Sequence, residues 1–105
     1  MYKKLTEKDY SKTNGTHYLT TIDTKYRDLL GKLGAPTFEP EDSGDGKVMY
    51  EWVFYNDDEV FTIYDWKTYD EEYTKYEYTD WHVGGVGKPD KFVDWIYERL
   101  YNLNN

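Results

Sequence analysis

The chain has 105 residues and no cysteine, which predicts one domain with one core and excludes disulfides and thiolate metal sites. A formal net charge of −8 opposes direct contact with nucleic acid or an anionic membrane and suits a basic partner instead. Neither a membrane-length apolar run nor a signal-peptide pattern in Met-Tyr-Lys-Lys-Leu-Thr-Glu is present, so a cytoplasmic protein is expected.

Residues 1–14 are polar and unpatterned and end at Asn14-Gly15, as a flexible N-terminal arm would, with 15–105 forming a single domain. Thr16 to Ile22 is rich in β-formers and reads as a short strand. Asp23 or Thr24 can then cap a helix over 24–33, whose Tyr26, Leu29, Leu30 and Leu33 make one apolar stripe. Gly34 supplies the stop, and Pro36 forbids continuation. The polar loop 37–46 superficially resembles a calcium loop. Its oxygen ligands and closing Glu are not at the required positions, so no metal is expected.

Lys47–Asn56 and Val60–Lys67 read as a hairpin around Asp57-Asp58-Glu59. A two-residue Asp57-Asp58 turn sets Phe54 opposite Phe61, Trp52 opposite Ile63 and Tyr50 opposite Asp65, an apolar face for the helices. The other face then carries Met49, Glu51, Val53 and Tyr55 against Trp66, Tyr64, Thr62 and Val60. Residues 68–79, acidic and Tyr-rich, are expected as a mobile loop or irregular strand. Asp80 to Val83 reads as a third strand, with Trp81 and Val83 on one face and His82 on the other. After Gly84-Gly85-Val86-Gly87-Lys88, Pro89 opens a helix with a stripe of Phe92, Val93, Ile96, Leu100 and Leu103. The fold class expected is α+β: a small two-layer domain whose antiparallel sheet is a hairpin plus one or two further strands, with two helices on one face.

Four pieces of this sequence resemble a family of small, mostly uncharacterised proteins of bacterial viruses. They are Leu33-Gly34-Ala35-Pro36 at a helix end, Glu51-Trp52, Ile63-Tyr64-Asp65-Trp66-Lys67, and Trp81-His82-Val83-Gly84-Gly85, where the family pattern has Ile at the position of Val83. The resemblance covers roughly residues 24–87. It implies a viral protein in the cytoplasm of an infected host cell and a counter-defence role. It brings no established activity.

Aromatic residues make up 20% of the chain, with 13 Tyr and 4 Trp. This exceeds what so small a core needs, so aromatic surfaces for recognition are expected beside the plainer role of covering the fold. Catalysis has weak support. His17 and His82 are the two imidazoles, and only His82 with Asp65, Asp80 or Glu51 could form an oriented base. Binding is therefore the expected activity, with no cofactor.

The leading expectation is capture of a nucleotide-derived immune signal. Gly84, Gly85, Gly87 and Lys88 precede a helix N-terminus and could cradle phosphate, while Tyr64, Trp66, Trp81 and His82 offer flat surfaces for a base and Lys67 a second cation. A homo-oligomer would supply opposite walls of such a pocket. The alternative is an acidic inhibitor of a host defence protein, such as a CRISPR or restriction nuclease. In it Asp57, Asp58, Glu59, Asp70, Glu71, Glu72 and Glu77 imitate phosphates, although acidic runs commonly do no more than keep a surface soluble.

Overall fold

A computed structural model describes residues 2–42 and 48–101 and has the α+β architecture expected. Among the described residues, five strands and three α-helices follow in chain order: β1 (Lys3–Lys4), β2 (His17–Asp23), α1 (Tyr26–Leu33), β3 (Glu51–Tyr55), β4 (Val60–Tyr64), α2 (Glu71–Tyr76), β5 (Asp80–Gly85) and α3 (Asp90–Tyr101). The sheet is antiparallel throughout, in the order β1-β3-β4-β5-β2.

The β3–β4 hairpin sets the register. Phe54 lies opposite Phe61 and Trp52 opposite Ile63, as strict alternation requires. Asn56 closes the turn, its Oδ1 accepting from the backbone N–H groups of Asp58 and Glu59 at 2.9 and 2.7 Å, an Asx turn that leaves Asp57 and Asp58 at the tip. The resulting apolar face is continued by Trp81 and Val83 of β5 and Ile22 of β2. It packs on Leu29 and Leu33 of α1 and on Phe92, Ile96 and Leu100 of α3. Leu103 of the expected stripe, residues 43–47 of the polar loop and the start of the expected strand at Lys47 lie outside the described residues.

Three expectations are corrected. The first residues are not a loose arm. Lys3 and Lys4 add a strand beside β3, and the Lys4 ammonium donates to the carbonyls of Leu33 and Ala35 at 3.0 and 2.9 Å, where the end of α1 leaves acceptors unsatisfied. Leu5 is buried with Phe38 and Val53 on the second face of the sheet, and Tyr10 stacks on Phe38 at 4.0 Å. The N-terminal segment thus covers the β3 side of a face that would otherwise expose Val53.

Neither Asp23 nor Thr24 caps α1. Lys25 holds that position without a side-chain bond, while the buried Thr24 accepts a hydrogen bond from the Tyr101 hydroxyl at 2.7 Å.

Within 68–79 the chain forms α2 instead of a loop or strand. Asp70 is its N-cap, accepting from the N–H groups of Glu72 and Tyr73 at 2.9 and 3.2 Å, and Glu71 and Glu72 sit favourably in the first turn. So short a helix needs tertiary support, and the buried Thr74 provides it through a bond to Asp65 at 3.0 Å.

Candidate functional site

Alternation along β4 and β5 and the β2–β5 pairing decide which side chains meet on the second face. Glu51, Tyr64, His82 and Thr21 form one row across β3, β4, β5 and β2. One residue beyond β4, Asp65 points inward and is fully buried. One carboxylate oxygen accepts from the N–H groups of Met49 and Tyr50, at 2.8 and 3.0 Å, and the other from the hydroxyls of Thr68 and Thr74, at 2.8 and 3.0 Å. With Asp65 held inside, Trp66 must turn to the opposite face. There its ring lies 6.1 Å from His82 at an interplanar angle of 20°.

Tyr64, Trp66 and His82, three of the residues expected to bind ligand, are thus brought together. Tyr18 of β2 completes the group at 4.8 Å from His82, and the four line a shallow cavity of about 370 Å³. Tyr18 is 54% and Trp66 40% exposed, so their faces are accessible. Lys67, at φ 54°, places its ammonium 5.5 Å from the Trp66 ring, the one cation of the expected set beside the patch. Burial lowers the His82 pKa from its ordinary value, against a raising influence from Asp80. That direction favours the neutral ring over the charged one.

Trp81 does not belong to this site. It is fully buried on the helix face, edge-on to Trp52 and Tyr78 at 5.7 and 5.3 Å. Its neighbour His82 faces the other way because successive strand residues alternate.

The glycine turn is not a phosphate cradle joined to the aromatics. Gly84 and Gly85 lie inside β5, paired on both sides by β4 and β2, so the sheet ladders engage their backbone. Both are there for space. A Cβ on Gly84 would stand 3.0 Å from the Thr62 hydroxyl and 3.2 Å from the Tyr64 ring, so Gly84 is the floor on which Tyr64 rests. A Cβ on Gly85 would stand 2.6 Å from both the Phe61 ring and the Val60 carbonyl. Gly85→Ala is expected to lower unfolding stability by about 1–3 kcal/mol, as overpacking does, measured by urea denaturation. A loss below about 0.5 kcal/mol would contradict the packing role.

Gly87, at φ 108°, and Lys88 follow the C-terminal end of β5, whereas Trp66 follows that of β4. The strands are antiparallel, so the two points lie at opposite ends of the sheet, seven to eight residues apart in register and thus roughly 23–26 Å at about 3.3 Å per residue. Lys88 shares its surroundings with Glu59, Asp90 and Lys91, a mixed environment and not a cationic one.

The acidic residues divide in the same way. Asp57, Asp58 and Glu59 stand at the hairpin tip, and Asp70, Glu71, Glu72 and Glu77 surround α2 at the other end. Asp70 is occupied as a cap, and Glu71 accepts the Tyr50 hydroxyl at 2.7 Å. That leaves Glu72 and Glu77 as exposed carboxylates near Tyr69, Tyr73 and Tyr76.

Of the three carboxylates that could orient His82, Asp65 is turned inward, while His82 makes ring contacts with Tyr18, Tyr64 and Trp66. Among the described residues, no helix is long and apolar enough to cross a membrane.

No protein-family model, no curated protein and no solved structure matches this chain.

Proposed function

We propose that this protein is a binding module that captures a planar, nucleotide-like ligand on the aromatic face formed by Tyr18, Tyr64, Trp66 and His82. The accessible Trp66 ring, nearly parallel to His82 and held outward by the buried Asp65, is the observation that carries this reading. Rigid, pre-positioned aromatic planes are what stacking recognition needs, and stacking on such a ring contributes about 1–3 kcal/mol per base. Lys67 supplies a cation beside Trp66 for a phosphate. The resemblance of Ile63–Lys67 and Trp81–Gly85 to proteins of bacterial viruses supplies the biological setting, removal of a nucleotide-derived immune signal in an infected cell. Because the cavity is shallow, a second subunit closing over it would bury the ligand more fully.

Native mass spectrometry of protein recovered from cells with an active nucleotide-based defence tests this. The expected result is a retained mass of nucleotide size, with affinity reduced about 5- to 150-fold in Trp66→Ala, the equivalent of one stacking contact. A clean unliganded mass together with a co-purifying host protein would overturn it. That outcome would favour a second reading, an inhibitor of a host nuclease that docks through α2, where Glu72 and Glu77 lie among exposed tyrosines.

A further inference from the structure

The helix layer holds a second cavity, away from the aromatic face. It lies between α1 and α2, measures about 530 Å³, and is lined by Lys25, Tyr26, Arg27, Leu30, Gly31, Lys75 and Tyr76. In a chain with 21 acidic and 13 basic residues, three cations and no carboxylate line it.

Of the three cations Lys75 is engaged, by Glu71 and by the Tyr50 ring at 5.9 Å. Lys25 and Arg27 are exposed and in no ion pair with a described residue. Lys75 is 3.8 Å from Glu71 Oε1, a long contact to an oxygen that already accepts the Tyr50 hydroxyl at 2.7 Å. The walls are apolar and aromatic, with Leu30 40% and Tyr76 72% exposed.

Gly31 is the second observation. It sits inside α1, where glycine costs about 1 kcal/mol relative to alanine. A Cβ there would meet nothing within 4 Å, so packing does not require glycine. The position lines the groove, so a larger side chain there would enter it.

We infer that the α1–α2 groove is a binding site for a small organic phosphate with an aromatic body, distinct from the aromatic patch. Arg27 takes the phosphate as a planar fork with Lys25 and Lys75 as flanking cations, and the ring lies between Tyr26, Leu30 and Tyr76. The size suits a small molecule.

The test is titration of isotope-labelled protein with phenyl phosphate, followed by amide NMR, in the native chain and in Trp66→Ala. Saturable shifts at residues 25–31 and 75–76 are expected in both, which separates this site from the patch. Arg27→Ala combined with Lys75→Ala should weaken binding at least tenfold. So should Gly31→Leu, which fills the groove while improving helix propensity, with unfolding stability equal to or above native. Inorganic phosphate alone should bind at least tenfold more weakly than phenyl phosphate. The inference is overturned if no saturable shift occurs in the groove, if Gly31→Leu binds as the native chain does, or if inorganic phosphate matches phenyl phosphate.

Discussion

Asp65→Ala is expected to lower stability by about 3–5 kcal/mol, a large share of the roughly 5–15 kcal/mol available to a domain of this kind. The substitution leaves the N–H groups of Met49 and Tyr50 and the hydroxyls of Thr68 and Thr74 without their acceptor. Hydrogen bonds to a charged group contribute about 1.5–3 kcal/mol each, and relief from desolvating one carboxylate offsets part of the loss. Asp65→Asn should cost less, about 1–2 kcal/mol. Its carbonyl can keep both N–H groups, and the two hydroxyls can rotate to accept from the new amide. Urea unfolding followed by circular dichroism measures both. A loss under about 1 kcal/mol for the alanine variant would show that Asp65 does not organise this end of the sheet. Because Asp65 also joins the turn before α2 to the helix through Thr68 and Thr74, α2 should show the earliest loss of amide protection in Asp65→Asn.

Glu51 carries the second large effect, with the opposite sign. Burial pushes its carboxyl from 4.5 up to about 7, opposed by a hydrogen bond from Thr62 and reinforced by the negative charge of Asp65. The folded protein therefore holds a proton that the unfolded chain releases. The contribution of Glu51 is fully present below about pH 4.5, is lost progressively as pH rises to about 7, and stays lost above that. At about 1.4 kcal/mol per pH unit the loss is about 3 kcal/mol. Glu51→Gln removes the titration and keeps an acceptor for Thr62. It should match the native protein near pH 4.5 and exceed it by about 2–3 kcal/mol at pH 8. Unfolding curves for the two proteins that run parallel from pH 4.5 to 8 would refute this assignment. Glu51 shares its row with Tyr64 and His82, and its charge, after burial, also raises the Tyr64 pKa. Above pH 7 a half-buried charge thus stands directly beside the proposed binding face.

Much of this architecture was legible in the chain. Period-two alternation gave the hairpin register, because a slip of one residue would have put Trp52, Phe54, Phe61 and Ile63 into water. The same alternation assigned Tyr64 and Trp66 to the second face. It also contained a warning about the site. Trp81 and His82 are adjacent on a strand and cannot line one pocket, so one of them had to leave the expected constellation. The Asp70 cap and the acidic turn after it were a readable signal for α2, masked by a Tyr-rich stretch without an apolar stripe.

Only the tertiary structure decided the rest. Tyr18 meets His82 because β2 pairs with β5, more than sixty residues away in the chain, and no local pattern encodes that partner. Leu5 and Tyr10 look like loop residues until Val53 and Phe38 require a cover. The glycines of β5 looked like a phosphate loop because sequence shows where side chains are missing but not what occupies the space. Here Phe61 and Tyr64 fill it. Local physics thus determined the strands, the register and the side of the sheet each residue faces. Long-range pairing determined which of those residues meet, since a contact between distant segments depends on the packing of the whole chain.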